Sequence, residues 1–340
     1  MNGGRRPTLE MVAARAGVGR GTVSRVINGS DQVSPATREA VRAAIAELGY
    51  VPNHAARTLV TRRTDTVALV VSEPDERLFA QPFFADVVRG VSAVLNEREL
   101  QLMLTTARSA DEHDRLGDYL TGHHVDGVLL VSLHRHDPLP DRLAEAGVPL
   151  VIGGRPQWQT RHPIHYVDID NVGGARMATE RLIRTGRERI ATVAGPQDMG
   201  AGEDRLVGYR SALADAGRPA PGELTAFGDF SFESGEAAMR RLLETTPGLD
   251  GVFAASDPMA LGAMRVLRAS GRRVPEDVAV IGYDDSSFAL HNDPPLTTVH
   301  QPTTRMGGEM ARLLADSVIP GASASHRLIL DPHLVVRETA

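Results

Sequence analysis

The sequence predicts an N-terminal helix-turn-helix headpiece followed by two doubly wound, parallel-sheet α/β subdomains. Three observations lead there. The first sixty or so residues are basic and punctuated by glycine. The rest alternates short apolar runs with amphipathic stretches. That alternation starts afresh near 162–168, at HPIHYVDIDN.

The headpiece is read first. Thr8 is placed to cap a helix, with Glu10 in its first turn, apolar Met11, Val12, Ala13 and Ala16 behind it, and Gly17 as its stop. A second helix covers about 20–28 and ends at Asn28-Gly29, where a left-handed glycine is expected. Ser34-Pro35 gives a cap followed by proline at the first helical position. Val41, Ala44, Ile45 and Leu48 form one stripe on the third helix, and Gly49 ends it. Two short helices joined by a tight glycine turn and covered by a third read as a helix-turn-helix.

Charge says what such a unit meets. Residues 1–64 hold ten arginines against four acids, a net of +6, in a chain whose net is −6, which leaves −12 for the remainder. A basic head on an acidic body is the pattern of a nucleic-acid binder. The chain has no lysine, so all 37 basic residues are arginine and every cationic contact is a planar fork.

The stretch GVGRGTVSRVIN, residues 17–28, starts a helix with two glycines around Arg20. The start of a recognition helix points into the major groove. Gly19 at the cap leaves backbone N–H groups free for phosphate, and Gly21 clears space beside Arg20. Thr22, Ser24 and Asn28 supply hydroxyls and an amide, and the caps Thr8 and Ser34 join this DNA-binding set. Arg20 and Arg25 are expected to read guanine edges, which implies GC-rich half-sites. The alternative is that Gly21 is a tolerated helix glycine and Arg20 touches only phosphate.

Beyond the linker RRTDT (62–66), a buried strand is expected at TVALVVS (66–72) and further strands at QLMLTTA (101–107), DGVLLVS (126–132), PLVIGG (149–154), RIATVAG (189–195), GVFAAS (251–256) and VAVIGYDD (278–285), with a helix over 84–100. Ligands bind beyond the carboxyl ends of such strands. The candidate contacts lie there: Ser72, Phe83 and Phe84, Trp158, Arg205, Phe230, Ser256 with Asp257, Asp284 and Gln301. Aromatic faces for a ring, with carboxylates and forked donors for hydroxyls, suit a sugar. Asp284 and Arg205 could instead be a structural ion pair, Phe83 and Phe84 core residues, and Trp158 a surface side chain.

TLEMVAARAGVGRGTVSRVIN and VSPATREAVRAAIAELGYVPNHAARTL resemble the DNA-binding head of the LacI family of bacterial repressors, and the resemblance extends over the whole chain. It implies that the segment after GYVPN is a hinge helix that forms on the operator, with Leu59 as a minor-groove wedge, Ala56 beside it, and Tyr50 and Asn53 on the DNA backbone. The other reading of Leu59 is a linker leucine. The implied core is periplasmic-binding-protein-like, and the candidate cleft residues match effector contacts of the family. The chain is then divided into a DNA-binding domain (1–52), a hinge and linker (53–64), and an effector-binding and dimerisation domain (65–340). Its first subdomain is about 65–165 and 296–325, its second about 166–295 and 326–340. At Arg20-Gly21 many members carry larger residues, so no particular operator follows beyond an inverted repeat. GRGTVSRVINGSDQVSP, GPQDM, GDFSF and AASDPM are similar to actinobacterial repressors of cellulose-utilisation genes. That implies a repressor of carbohydrate-utilisation genes released by cellobiose or another cello-oligosaccharide. The alternatives are a different sugar or a purine-like corepressor.

Other chemistries find less support. His123-His124, His134 with His136, and His162 with His165 lack metal-ligand spacing with acidic support, and the chain has no cysteine. GVGRG precedes a helix without following a strand, so it is not a dinucleotide loop. No GxSxG motif occurs. Sugar cleavage would need two carboxylates across a cleft, for which Asp257 and Asp284 are the candidates. A secreted sugar-binding protein would need a signal peptide, and MNGGRRPTLEM has no apolar h-region. No run of 18 apolar residues suggests a membrane span. The expectation is a cytoplasmic, nucleoid-associated regulator with no enzymatic activity, cofactor or metal. Its partners would be double-stranded operator DNA, a sugar and a second copy of itself. LVVRETA carries no leucine heptad, so a homodimer is expected.

Overall fold

The computed structural model describes residues 7–27, 29–51, 63–107, 109–156, 162–321 and 325–340. Among these the chain forms thirteen helices and twelve strands. It falls into two compact units, Met1–Thr64 and Asp65–Ala340.

The first unit contains α1 (Leu9–Ala16), α2 (Arg20–Ile27) and α3 (Pro35–Leu48). The Thr8 hydroxyl accepts from the Met11 N–H at 3.4 Å, and Ser34 accepts from Thr37 N–H at 3.3 Å with Pro35 opening α3. Each cap satisfies a donor that the first turn leaves unpaired. Gly17 at φ +66° and Gly49 at φ +62° end α1 and α3 as the sequence suggests. Val12, Ala13, Val23, Val41 and Ala44 form the buried core, with Leu9, Val18, Ile45, Leu48 and Tyr50 packed around it.

The second unit contains two sheets. In the first subdomain run β1 (Thr66–Val71), α4 (Asp75–Ala80), α5 (Pro82–Glu97), β2 (Gln101–Thr106), α6 (Ala110–Thr121), β3 (Gly127–Val131), α7 (Leu139–Glu145), β4 (Leu150–Gly153) and β5 (His165–Ile169). The second subdomain follows with α8 (Asn171–Arg184), β6 (Ile190–Ala194), α9 (Gly200–Asp215), β7 (Thr225–Phe227), α10 (Phe232–Thr245), β8 (Gly251–Ala254), α11 (Asp257–Ala269), β9 (Ala279–Asp284), α12 (Ser287–His291) and β10 (Thr297–His300). The chain then returns to the first subdomain for α13 (Thr303–Leu313) and β11 (Arg327–Leu330), and ends in the second with β12 (His333–Val335). The sheet orders are β11-β5-β4-β3-β1-β2 and β12-β10-β9-β8-β6-β7. Every pairing is parallel except β10 with β12. The central strands of each sheet are buried on both faces, which is why they read as unbroken apolar runs.

Strand pairing moves the crossings away from where the sequence suggested. HPIHYVDIDN does not open the second series. His165–Ile169 pairs with β4, with Val151 opposite His165, and Val167 and Ile169 sit in the first sheet's core. The chain leaves this sheet only after Ile169. Likewise Thr297–His300 pairs with β9 in the second sheet, and Arg327–Leu330 pairs with β5 in the first. The expected boundaries at 165/166, 295/296 and 325/326 therefore each fall several residues too early. The reason is that short strands alternating polar and apolar, such as HYVDI, carry no mark of which sheet they join.

The return of α13 covers the first sheet by an unusually close helix pair. A Cβ on Gly90 of α5 would stand 1.9 Å from the Thr304 carbonyl oxygen, and one on Gly307 of α13 would stand 2.4 Å from that of Val87. Backbone meets backbone, with no room for a methyl group. Gly90→Ala should therefore destabilise the second unit by about 1–3 kcal/mol, as overpacked cores do. Denaturant unfolding followed by circular dichroism measures it, and an unchanged midpoint would contradict this packing.

Candidate functional site: an inter-subdomain cleft and a glycine-cleared helix

The carboxyl ends of the parallel strands from both sheets converge on one cleft, with an empty volume of about 1120 Å³ counted out to open solvent. Of the residues expected to contact a ligand, Phe83, Phe84, Arg205, Phe230, Ser256, Asp284 and Gln301 line it.

Arg205, on α9, organises the floor. It is 5% exposed. Its Nε donates to Asn171 Oδ1 at 2.9 Å, Nη1 to the Ala255 carbonyl at 2.6 Å, and Nη2 to Gln301 Oε1 at 3.4 Å. The guanidinium also lies 3.7 Å from the centre of the Tyr283 ring. Gln301 Nε2 in turn donates to Asp284 Oδ1 at 2.6 Å, while Arg205 and Asp284 stand 3.8 Å apart. Both readings of this pair hold: the two groups are electrostatically joined, and both face the cavity. Asp284 has φ +122° and Phe230 φ +71°. Such backbone costs on the order of 1–3 kcal/mol and is found where surroundings force it.

The aromatic wall divides. Phe84 belongs to the first sheet's core and is 3% exposed, while Phe83 is half-buried, with the two rings edge to face at 5.2 Å. The core reading thus applies to Phe84, which reaches the cavity only as part of its wall. Ser256 caps α11 by accepting from Met259 N–H at 3.3 Å, and its hydroxyl donates to the Phe230 carbonyl at 3.3 Å.

Two expected contacts do not reach the cavity wall. Ser72 donates its hydroxyl to Asp137 at 2.6 Å, and its neighbour Glu73 faces the cleft in its place. Asp257 is fully buried and accepts from Ser286 N–H at 2.8 Å, Ser286 Oγ at 2.9 Å and Thr298 Oγ1 at 2.5 Å. It braces the β9–α12 turn, so it does not face Asp284 across the cleft. Trp158 lies outside the described residues.

Sequence reasoning missed the polar residues Glu73, Ser132, Arg155, Asp168, Asn171, Asp204 and Ser286, which also line it. Glu73, Ser132 and Arg155 each sit one or two residues past a strand, and extending the strand-end rule by two residues finds them. Arg155 Nη2 binds Asp204 Oδ2 at 2.5 Å, and its Nε stands 3.8 Å from Asp168. Burial pushes the Asp168 carboxyl up to about 6, with Asp204 adding to the rise and Arg155 opposing it. Burial also raises Asp284 above the usual carboxylate range against the pull of Arg205, and burial together with Asp284 raises Asp257 well above it. Among the described residues, four carboxylates thus face the cavity, and the two guanidiniums that line it are already engaged. The arrangement can accept hydroxyl hydrogens and cover apolar ring faces, and it repels anions.

The first unit carries the other candidate surface. Gly19 stands at the cap of α2, its carbonyl accepting from the Val23 N–H at 3.2 Å. A Cβ on Gly19 or Gly21 would meet nothing within 4 Å. No packing in the fold requires either glycine. Arg20 is exposed and paired with Glu10 at 3.0 Å, and Arg25 is exposed. Thr22 and Ser24 are half-buried on the same helix, Tyr50 packs against the small core, and Thr8 and Ser34 act as caps. Asn28, Asn53, Ala56 and Leu59 lie outside the described residues, as does most of the 53–64 segment. Among the described residues no group of His, Asp and Glu side chains is placed to hold a metal, and no helix is long and apolar enough to cross a membrane.

Two outcomes are expected. Gly21→Ala should stabilise the first unit by roughly 0.5–1 kcal/mol, because alanine holds a helix better than glycine. It should weaken DNA binding in an anisotropy titration, and unchanged binding would leave Gly21 merely tolerated. For Asp284, the folded state binds the proton more tightly than the unfolded state. Its protonated form therefore supports the fold at low pH, and that support is lost as pH rises past the usual carboxylate value toward about 6. Asp284→Asn should raise the melting temperature by a few degrees at pH 7.5 and by less at pH 4.5. A uniform fall at both pH values would mean that the charge is stabilising.

The model for bacterial regulatory proteins of the lacI family matches residues 8–53, and the periplasmic binding protein-like domain matches residues 179–340. The HTH-type transcriptional regulator CelR of Thermobifida fusca is 66% identical over 335 residues, 98% of each chain. The ribose operon repressor of Escherichia coli K12 is 35% identical over 98% of this chain and 99% of its own. Among solved structures, the CelR–cellobiose complex superposes with a TM-score of 0.80 at 64% identity, over 98% of this chain and 100% of that one. The lac repressor dimer bound to operator and the anti-inducer ONPF superposes with 0.86 at 28% identity, over 98% and 99%. A capped helix-turn-helix ahead of a two-sheet cleft, matched along nearly its whole length by these regulators, places the chain in the LacI family of bacterial regulatory proteins.

Proposed function

We propose that the protein is a cytoplasmic, nucleoid-associated transcriptional repressor of carbohydrate-utilisation genes. It binds a GC-rich inverted repeat as a homodimer and is released by cellobiose or another cello-oligosaccharide. The observation that carries the effector class is the cleft's charge. Asp168, Asp204, Asp284 and Glu73 face a space where, among the described residues, the two guanidiniums are occupied. A neutral polyol satisfies these acceptors, whereas a phosphorylated ligand would meet them as like charges. The phenylalanine wall at Phe83 and Phe230 covers the apolar face of a pyranose ring. Relatives supply the specific sugar, since CelR is solved with cellobiose, and the dimer, since the lac repressor is solved as one on its operator.

On the DNA side, Arg20 and Arg25 read guanine O6 and N7, the hydroxyls of Thr22 and Ser24 hold phosphates, and Leu59 wedges the central base step. The effector shifts one subdomain against the other and the hinge segments lose their grip on the minor groove. By linkage, the operator-bound form then holds the sugar less tightly. The chain acts through binding and catalyses no reaction.

Thermal unfolding with millimolar cellobiose, beside maltose and adenine, tests the reading. A ligand at 100 times its dissociation constant stabilises by about 2.7 kcal/mol, a rise of a few degrees. A selective rise with cellobiose, and release of a GC-rich operator duplex by the same sugar, are expected. A rise with adenine or maltose alone would replace the effector.

A further inference from the structure

Three ion pairs join the two subdomains without lining the cavity. Arg77 Nη2, on α4, meets Asp229 Oδ2 beyond β7 at 2.9 Å. His134 Nδ1, beyond β3, meets Asp198 Oδ2, beyond β6, at 2.7 Å. Arg135 meets Glu203 on α9, and its backbone N–H donates to the Asp198 carbonyl at 2.8 Å. In every pair the cation belongs to the first subdomain and the acid to the second.

Behind two of them stands Glu73, 3% exposed at the end of β1. It accepts from Arg77 Nη1 at 3.0 Å and from Ser132 Oγ at 2.9 Å, and its Oε1 lies 3.6 Å from His134 Nε2. Glu73 and then Asp198 keep His134 protonated, its pKa pushed up to about 9 against the effect of burial, so the pair is charged at neutral pH. Glu73 also lines the cavity, so one carboxylate connects the ligand space to the cations of these pairs.

We infer that this charged seam holds the closed cleft together and sets effector affinity, although its side chains do not touch the effector. Arg77, His134 and Arg135 are positioning residues. A pair that forms only when the cleft closes favours the state that encloses the ligand, and a ligand gains only by such differences between states. A neutral sugar has no charge of its own to be screened, so salt reaches its affinity through the protein's own ion pairs, the seam among them. The inference rests on the reading of this cleft as a sugar site.

Calorimetry with cellobiose tests it on the full chain. Arg135→Glu and Glu203→Arg should each weaken binding about five- to tenfold, since each removes a pair and introduces like charges. The double variant, with the charges exchanged, should recover to near wild type, which a merely misfolded site would not do. Wild-type affinity should fall severalfold between low salt and about 0.5 M salt. Single variants that bind as wild type, or affinity indifferent to salt, would overturn the seam. A second readout needs no sugar. Phe79 and Phe227 are 81% and 56% exposed, two residues from Arg77 and Asp229 respectively, and the chain has no cysteine. Spin labels on Phe79→Cys and Phe227→Cys therefore attach only there. Their separation should lengthen in high salt, and an unchanged separation would overturn the inference. Should the wild type fail to take cellobiose at all, the sugar reading falls while the label distance still decides the seam.

Discussion

Arg205 is where the second unit is pinned. Its guanidinium joins Asn171, the first residue after the outgoing crossing, to Gln301, the first residue after β10 on the way back, and to the Ala255 carbonyl at the end of β8. Two of the three passages between subdomains are thereby held at one buried charge. Its nearest carboxylate, Asp284, is 3.8 Å away, so carbonyl, amides and the Tyr283 ring carry much of the compensation. A buried charge that loses such partners is strongly destabilising. The cavity floor inherits its geometry from this one side chain: Asp284 is oriented by Gln301, which is oriented by Arg205.

The same site is expensive to maintain. Asp168, Asp284 and Asp257 are all held above their ordinary pKa by burial, which is a statement that their charged forms are disfavoured in the fold. The positive φ values at Phe230 and Asp284 add local strain. Two doubly covered sheets and backbone-close helix pairs at Gly90–Gly307 and Gly235–Gly262 supply the stability against which this is set. Binding sites commonly trade stability for acceptors in this way.

Much of the architecture was legible because local rules and global fold agree. Thr8, Gly17, Ser34, Pro35 and Gly49 mark helix ends by mechanisms confined to a few residues. Buried parallel strands announce themselves as apolar runs. The crossings were not legible, since nothing in HYVDI or RLIL distinguishes one parallel sheet from another. At the cleft, strand ends pointed to the right places and the wrong atoms by one residue. Ser72 is consumed by Asp137 while Glu73 lines the cavity, and Asp257 turns inward to Ser286 and Thr298 while its neighbour Ser256 lines the wall. A one-residue step reverses the face a side chain takes, and the partner that claims it lies 29 to 65 residues away in the chain.

The late return of α13 and β11 has a consequence for synthesis. Met306, Met310 and Leu314 complete the core over the first sheet, and β11 closes its edge beside β5. A nascent chain that has delivered residues 65–169 therefore carries an apolar sheet face only partly covered by α5, and a bare strand edge, until residues 303–330 leave the ribosome. Such intermediates are aggregation-prone, and pairings this distant in sequence are slow to form. The headpiece, with its own small core, needs none of these later residues. The part of the molecule built for DNA can thus be finished while the part that would control it is still being made.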